Sequence, residues 1–103
     1  MKILIIGSKG FIGGHLENYL LSKGYNVWGC DVVTDHNRPK YSNLTIHGFD
    51  LVFKSKKYDM CINCSGSANI PESVSHPLND FYSNVFVVSK ILNAIKEHNS
   101  KCK

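Results

Sequence analysis

The chain has 103 residues, 43% of them hydrophobic, and a net charge of +4 at neutral pH. That length supports one domain with a buried core, residues 1–103, and is short for a complete dinucleotide-dependent enzyme. The lysines are scattered, which excludes a nucleic-acid-binding block, and no apolar run reaches the length of a signal-peptide core or a membrane span.

The first element is a strand. Ile3, Leu4, Ile5 and Ile6 form an unbroken apolar run, the pattern of a central parallel strand covered on both faces. It runs directly into glycines at 7, 10 and 13, which allow a tight turn and close approach to a bulky ligand. A helix follows, with Ile12, Leu16, Tyr19 and Leu20 predicted to form its apolar face. Its N-terminus would aim free N–H groups and the positive dipole end at the turn, as a phosphate seat requires.

Gly24 reads as a helix stop, and residues 27–31 (Val-Trp-Gly-Cys-Asp) as a second strand. The polar stretch 32–43 is loop-like. Residues 44–49 read as a short third strand ending at Asp50, and a polar segment with Lys54, Lys56 and Lys57 leads to a fourth strand over 59–64. That strand ends at Ser65-Gly66-Ser67. After a loop holding Pro71 and Pro77, a helix from Leu78 to His98 places Phe81, Val85, Val88, Leu92 and Ile95 on one face.

Strands separated by crossovers predict an α/β fold, the first half of a Rossmann-type parallel sheet in the order 3-2-1-4 with flanking helices. The fourth strand would then be an uncovered edge. The chain therefore reads as the portion of a longer enzyme that precedes its catalytic half, and the open edge allows a homodimer. Cys30 and Cys61 fall within strands, and the four cysteines form no disulfide framework, which points to a reduced, cytoplasmic setting. Cys61-x-x-Cys64 lacks the further ligands that a metal site needs, so no metal is expected.

Ligands of such sheets bind at the carboxyl ends of the strands. Asp31 ends the second strand eighteen positions after Gly13. An acidic residue about 20 positions past the glycines accepts hydrogen bonds from the adenosine ribose and repels a 2′-phosphate. NAD is therefore expected ahead of NADP. Lys9 and Arg38 are the two basic groups within reach of that ribose and weigh the other way, each with the alternative of being a solvated surface cation. Asp50 is placed to reach the adenine amino group or to cap a turn. Ser65-Gly66 lets backbone approach the cofactor, and Asn84 is placed to bond a neighbouring loop or to face solvent.

Together these residues resemble the extended short-chain dehydrogenase/reductase family, the NAD-dependent sugar-nucleotide epimerases and dehydratases. Residues 7–16 match its glycine pattern, with Ile6 where threonine is common. Residues 71–78 with 81–85 are most similar to its UDP-glucose 4-epimerase branch, although Ala68 stands where epimerases often carry lysine. The resemblance implies that Gly7, Gly10, Phe11, Ile12 and Gly13 cradle a pyrophosphate. It also implies that Asp31 holds the ribose and that Asp50 and Leu51 flank adenine. Cys64, Ser65 and Gly66 would line the nicotinamide side, and Asn84 would match the family's helix asparagine. A nucleotide-sugar substrate is implied for the longer enzyme, with no nucleic-acid or membrane partner.

The family's catalytic Ser/Thr and Tyr-x-x-x-Lys have no counterpart here. Tyr19-x-x-x-Lys23 has the spacing but lies on the first helix, away from the strand ends. This chain alone is predicted to be inactive, with no catalytic residue of its own. The alternative reading is a non-catalytic nucleotide-binding or interaction module.

Overall fold

The structure, a computed structural model, describes residues 1–45, 47–66 and 74–103. Strands β1 (Lys2–Ile6), β2 (Asn26–Asp31), β3 (Tyr41–Asn43) and β4 (Met60–Asn63) form one sheet in the order β3-β2-β1-β4, with every pairing parallel. Its helices are α1 (Phe11–Ser22), α2 (Phe49–Ser55), α3 (Pro77–Phe81) and α4 (Val87–His98). A π-helical turn, Tyr82–Phe86, joins the last two. The expected half-Rossmann sheet is present.

β1 explains why the sheet sits where it does. Its side chains alternate between faces, and Ile3 through Ile6 are all buried. Leu4 and Ile6 pack with Cys30, Val52, Phe53, Tyr58, Ile91 and Ala94, beneath α2 and α4. Ile3 and Ile5 pack with Val27 on the other side, against Leu16 and Leu20 of α1. Both faces are covered, so the apolar run needs no polar alternation.

Three expectations are corrected here. The third strand lies at Tyr41–Asn43, and the residues assigned to it become a turn and the start of α2. The β3 pairing needs only three residues beside Gly29–Asp31, so a polar Tyr-Ser-Asn sequence suffices and carries no periodic signal. Secondly, residues 49–55 are helical rather than a polar link: Val52 and Phe53 face the core while Lys54 points to water.

The third correction concerns which faces of the two long helices are buried. On α1, Gly13 and Glu17 are the buried positions, whereas Ile12 is 69% and Tyr19 59% exposed. On the last helix, Ile91 and Ala94 face α2 and the sheet, with Val87 and Ile95 beside them. Phe81, Val85 and Leu92, assigned to the core, are exposed. A π turn inserts an extra residue into the helical repeat and rotates the faces before and after it relative to one another.

The outer edge of β4 is not wholly bare. Lys103 donates its N–H to the Asp59 carbonyl (3.1 Å) and accepts from the Cys61 N–H (2.7 Å), one parallel ladder step. All four cysteines are free. Burial holds the Cys30 thiol far above its ordinary value and pushes Cys61 up to about 12. Neither is a reactive thiolate, which accords with core packing. Among the described residues, no helix is long and apolar enough to cross a membrane.

Candidate functional site

Gly7 leaves β1 with φ +82°, a left-handed conformation that favours glycine. A Cβ there would lie 2.8 Å from the Cys64 carbonyl carbon, so only glycine lets β1 and β4 end side by side. At Gly13 a Cβ would stand 2.1 Å from the Gly7 carbonyl oxygen. That glycine brings α1 down onto the turn. Gly10 is the N-cap of α1, extended, and has more room.

Most of the turn's amides are already used. Gly7 N–H and Ser8 N–H donate to the Cys30 carbonyl, and Gly10 N–H donates to the Gly7 carbonyl. The Lys9 N–H donates to Asp31 Oδ2 at 2.9 Å. The amides of Phe11, Ile12 and Gly13, the first three of α1, have no acceptor among the described residues. Three convergent unpaired N–H groups at the positive end of a helix dipole form an anion seat.

Beside that seat is a crevice of about 520 Å³. Gly7, Gly10, Asp31, Cys64, Ser65 and Gly66, all expected at the site, line it. Asp31 turns toward the glycine turn, its Oδ1 accepting the Val32 N–H at 2.7 Å and its Oδ2 the Lys9 N–H. Asn63 orders the exit of β4, its Oδ1 accepting from both Ser65 N–H and Ser65 Oγ–H. Gly66 has φ +126°, and a Cβ there would lie 2.6 Å from Asn84 Oδ1. Of the two placements open for Asn84, the structure has it over the loop after β4, its Nδ2 also donating to Asp80 at 3.1 Å.

Other expected residues lie elsewhere. Asp50 does not end a strand: it sits in the first turn of α2, 3.3 Å from His98 Nε2, and neither it nor Leu51 lines the crevice. Lys9 is paired with Asp35, and Arg38 with the buried Glu17, so neither is a freely solvated cation. Asp35 is held below its ordinary value, first by the hydrogen bond from Lys9. Tyr19 belongs to the exposed side of α1, under the Lys23 ammonium, and is no part of the site. Ser67, Ala68 and Pro71 lie outside the described residues.

Sequence reasoning missed Val32, Leu44, Phe49, Tyr82, Ser83, Val87 and Lys90, which complete the lining. Leu44 and Phe49 carry an apolar signal that was read as a strand. Tyr82 and Ser83 come from the π turn, which a 3.6-residue period conceals.

The dimensions and chemistry fit a dinucleotide. The volume lies within the range of ligand clefts, about 300–1,000 Å³. The unpaired amides suit a diphosphate, and Asp31 suits a vicinal diol.

Comparison with known proteins agrees with that geometry. UDP-glucose 4-epimerase of Lactobacillus helveticus is 27% identical over 110 residues, covering 98% of this chain and 33% of its own length. CDP-paratose 2-epimerase of Salmonella typhi is 29% identical over 121 residues, covering 99% and 35%. Among solved structures, the UDP-glucose 4-epimerase of Thermus thermophilus in complex with NAD superposes with a TM-score of 0.82 at 26% identity, covering 95% of this chain and 34% of that one. The chain thus spans about a third of the length of the relatives it matches. Residues 3–103 match the NAD dependent epimerase/dehydratase family, and the chain belongs to that family.

Proposed function

We propose that this chain is the NAD-binding portion of an NAD-dependent sugar-nucleotide epimerase or dehydratase. The observation that carries this reading is the set of three unpaired amides, Phe11 to Gly13, opening beside the crevice that Asp31 lines. In this reading the amides hold the diphosphate and Asp31 accepts hydrogen bonds from the adenosine ribose hydroxyls. Val32, Leu44 and Phe49 offer adenine an apolar surface. Asp50 and Leu51 contribute at most from outside the lining. The backbone at Cys64–Gly66, with Asn84 above it, borders the nicotinamide end.

Bound NAD supplies reversible hydride acceptance, and the chain's share is to bind and orient it while excluding water. NAD is favoured over NADP because Asp31 stands where a 2′-phosphate would otherwise sit and the neighbouring cations are paired. The substrate is a nucleotide sugar bound by the rest of the longer protein. The exposed apolar stripe of the last helix further supports a homodimer built by helix packing.

Calorimetric titration with NAD tests the reading. One-site binding is expected, weakened about 10–100-fold in Asp31→Ala, the loss appropriate to hydrogen bonds on a charged group. The 103-residue chain is expected to convert no UDP-glucose to its C4 epimer. Absence of binding contradicts the reading, as does turnover by this chain alone.

A further inference from the structure

The loop after β2 carries Asp35 and Arg38, and the glycine turn carries Lys9. These groups, with Glu17 of α1, form two ion pairs next to Asp31. Lys9 Nζ meets Asp35 Oδ2, and Arg38 Nη1 meets Glu17 Oε1. We propose that Glu17 and Asp35 are specificity-determining residues. By withdrawing Arg38 and Lys9 from the ribose seat, they deny a 2′-phosphate its cations. This deepens the NAD-binding reading and rests on it.

The Glu17 pair is the stronger device. Glu17 lies one turn after Gly13 on the buried face of α1, and its side chain is 8% exposed. Gly29 on β2 makes the room, because a Cβ there would stand 2.7 Å from Glu17 Oε2 and 2.5 Å from Ser8 Oγ. Neither of those oxygens has a hydrogen-bond partner among the described residues. Within the same set, Arg38 is therefore the group that compensates a buried carboxylate. Releasing it toward a ligand would strand that charge, which is strongly unfavourable.

Tyr41 shows how tightly the charges gather. Lys9 Nζ lies 5.0 Å from its ring centroid. Its phenol is pushed up to about 12, by burial first and then by Asp31, Cys30, Asp35 and Glu17. Three carboxylates (Asp31, Asp35, Glu17) against two cations (Lys9, Arg38) leave the cluster net negative. Asp31 itself is held only by backbone N–H groups among the described residues, and can accept from a 2′-hydroxyl. A 2′-phosphate, with close to two negative charges, meets an acidic and cation-depleted wall.

Calorimetry with NAD and NADP on the wild-type chain, Glu17→Met, Asp35→Asn and the double variant tests this, with circular dichroism to verify folding. The double variant is expected to bind NADP about tenfold or more tighter than wild type while NAD affinity stays within about threefold, and adding Arg38→Ala should erase most of that gain. An unchanged NADP-to-NAD ratio in folded variants that still bind NAD overturns the proposal alone. A gain that survives Arg38→Ala also overturns it. If Glu17→Met does not fold, Asp35→Asn decides: NADP must bind more tightly, and Lys9→Met must cancel the gain. A wild-type chain that binds neither nucleotide overturns the proposal together with the reading beneath it.

Discussion

At Gly13 a methyl group would stand 2.1 Å from the Gly7 carbonyl oxygen, whereas at Gly10 the nearest atom, the same oxygen, is 3.4 Å away. One sequence pattern therefore conceals two different requirements. Gly13 is fixed by backbone packing that cannot move without shifting α1, while Gly10 is a helix cap. Gly13→Ala is expected to destabilise the fold by about 1–3 kcal/mol, the usual cost of forcing atoms into a filled space. Gly10→Ala should lose less than about 1 kcal/mol through poorer capping. Thermal unfolding of the two variants checks this. Equal losses would show that the glycines act alike. The ribose carboxylate was legible at this scale, because its place after an apolar strand is set by the fold. The pairing of Lys9 and Arg38 was not. Both depend on where the irregular loop between β2 and β3 sets down its charges, and neither Asp35 nor Glu17 has a spacing signal.

The last helix shows how an element can be right in extent and wrong in orientation. Its first half is apolar on several sides, with Leu78, Phe81, Tyr82, Val85 and Phe86 all exposed. A single 3.6-residue stripe drawn through Phe81 to Ile95 was one of two available, and the π turn selects the other. Ile91 is 4% exposed and its neighbour Leu92 is 62% exposed. Ile91→Ala is therefore expected to cost about 2–5 kcal/mol by leaving a cavity. Leu92→Ala should change stability by no more than about 0.5 kcal/mol in the monomer. Urea unfolding at low protein concentration measures both, and the reverse ranking would restore the face read from sequence. α2 was missed for a related reason. Seven residues give too short a window for periodicity, and the lysines that follow it dominate its composition.

Across the whole molecule, the sheet order was legible because β1 carries both its burial and its glycine exit in one continuous string. β3 was misplaced because its pairing depends on β2 and not on its own sequence. The crevice was half legible: strand ends announce themselves, whereas the residues from α2, the π turn and Lys90 arrive only through packing. The exposed apolar stripe makes a prediction here. Sedimentation velocity is expected to show concentration-dependent dimerisation that Val85→Glu abolishes, because a charge in an apolar helix contact is costly. A sedimenting monomer at every concentration would contradict that expectation. The account as a whole depends on where the diphosphate sits. Amide chemical shifts of the labelled chain on adding NAD test this most directly. The largest changes are expected at Phe11, Ile12 and Gly13, with Asp31 and Val32 following. Changes confined to residues outside the glycine turn and the end of β2, or none at all, would contradict it.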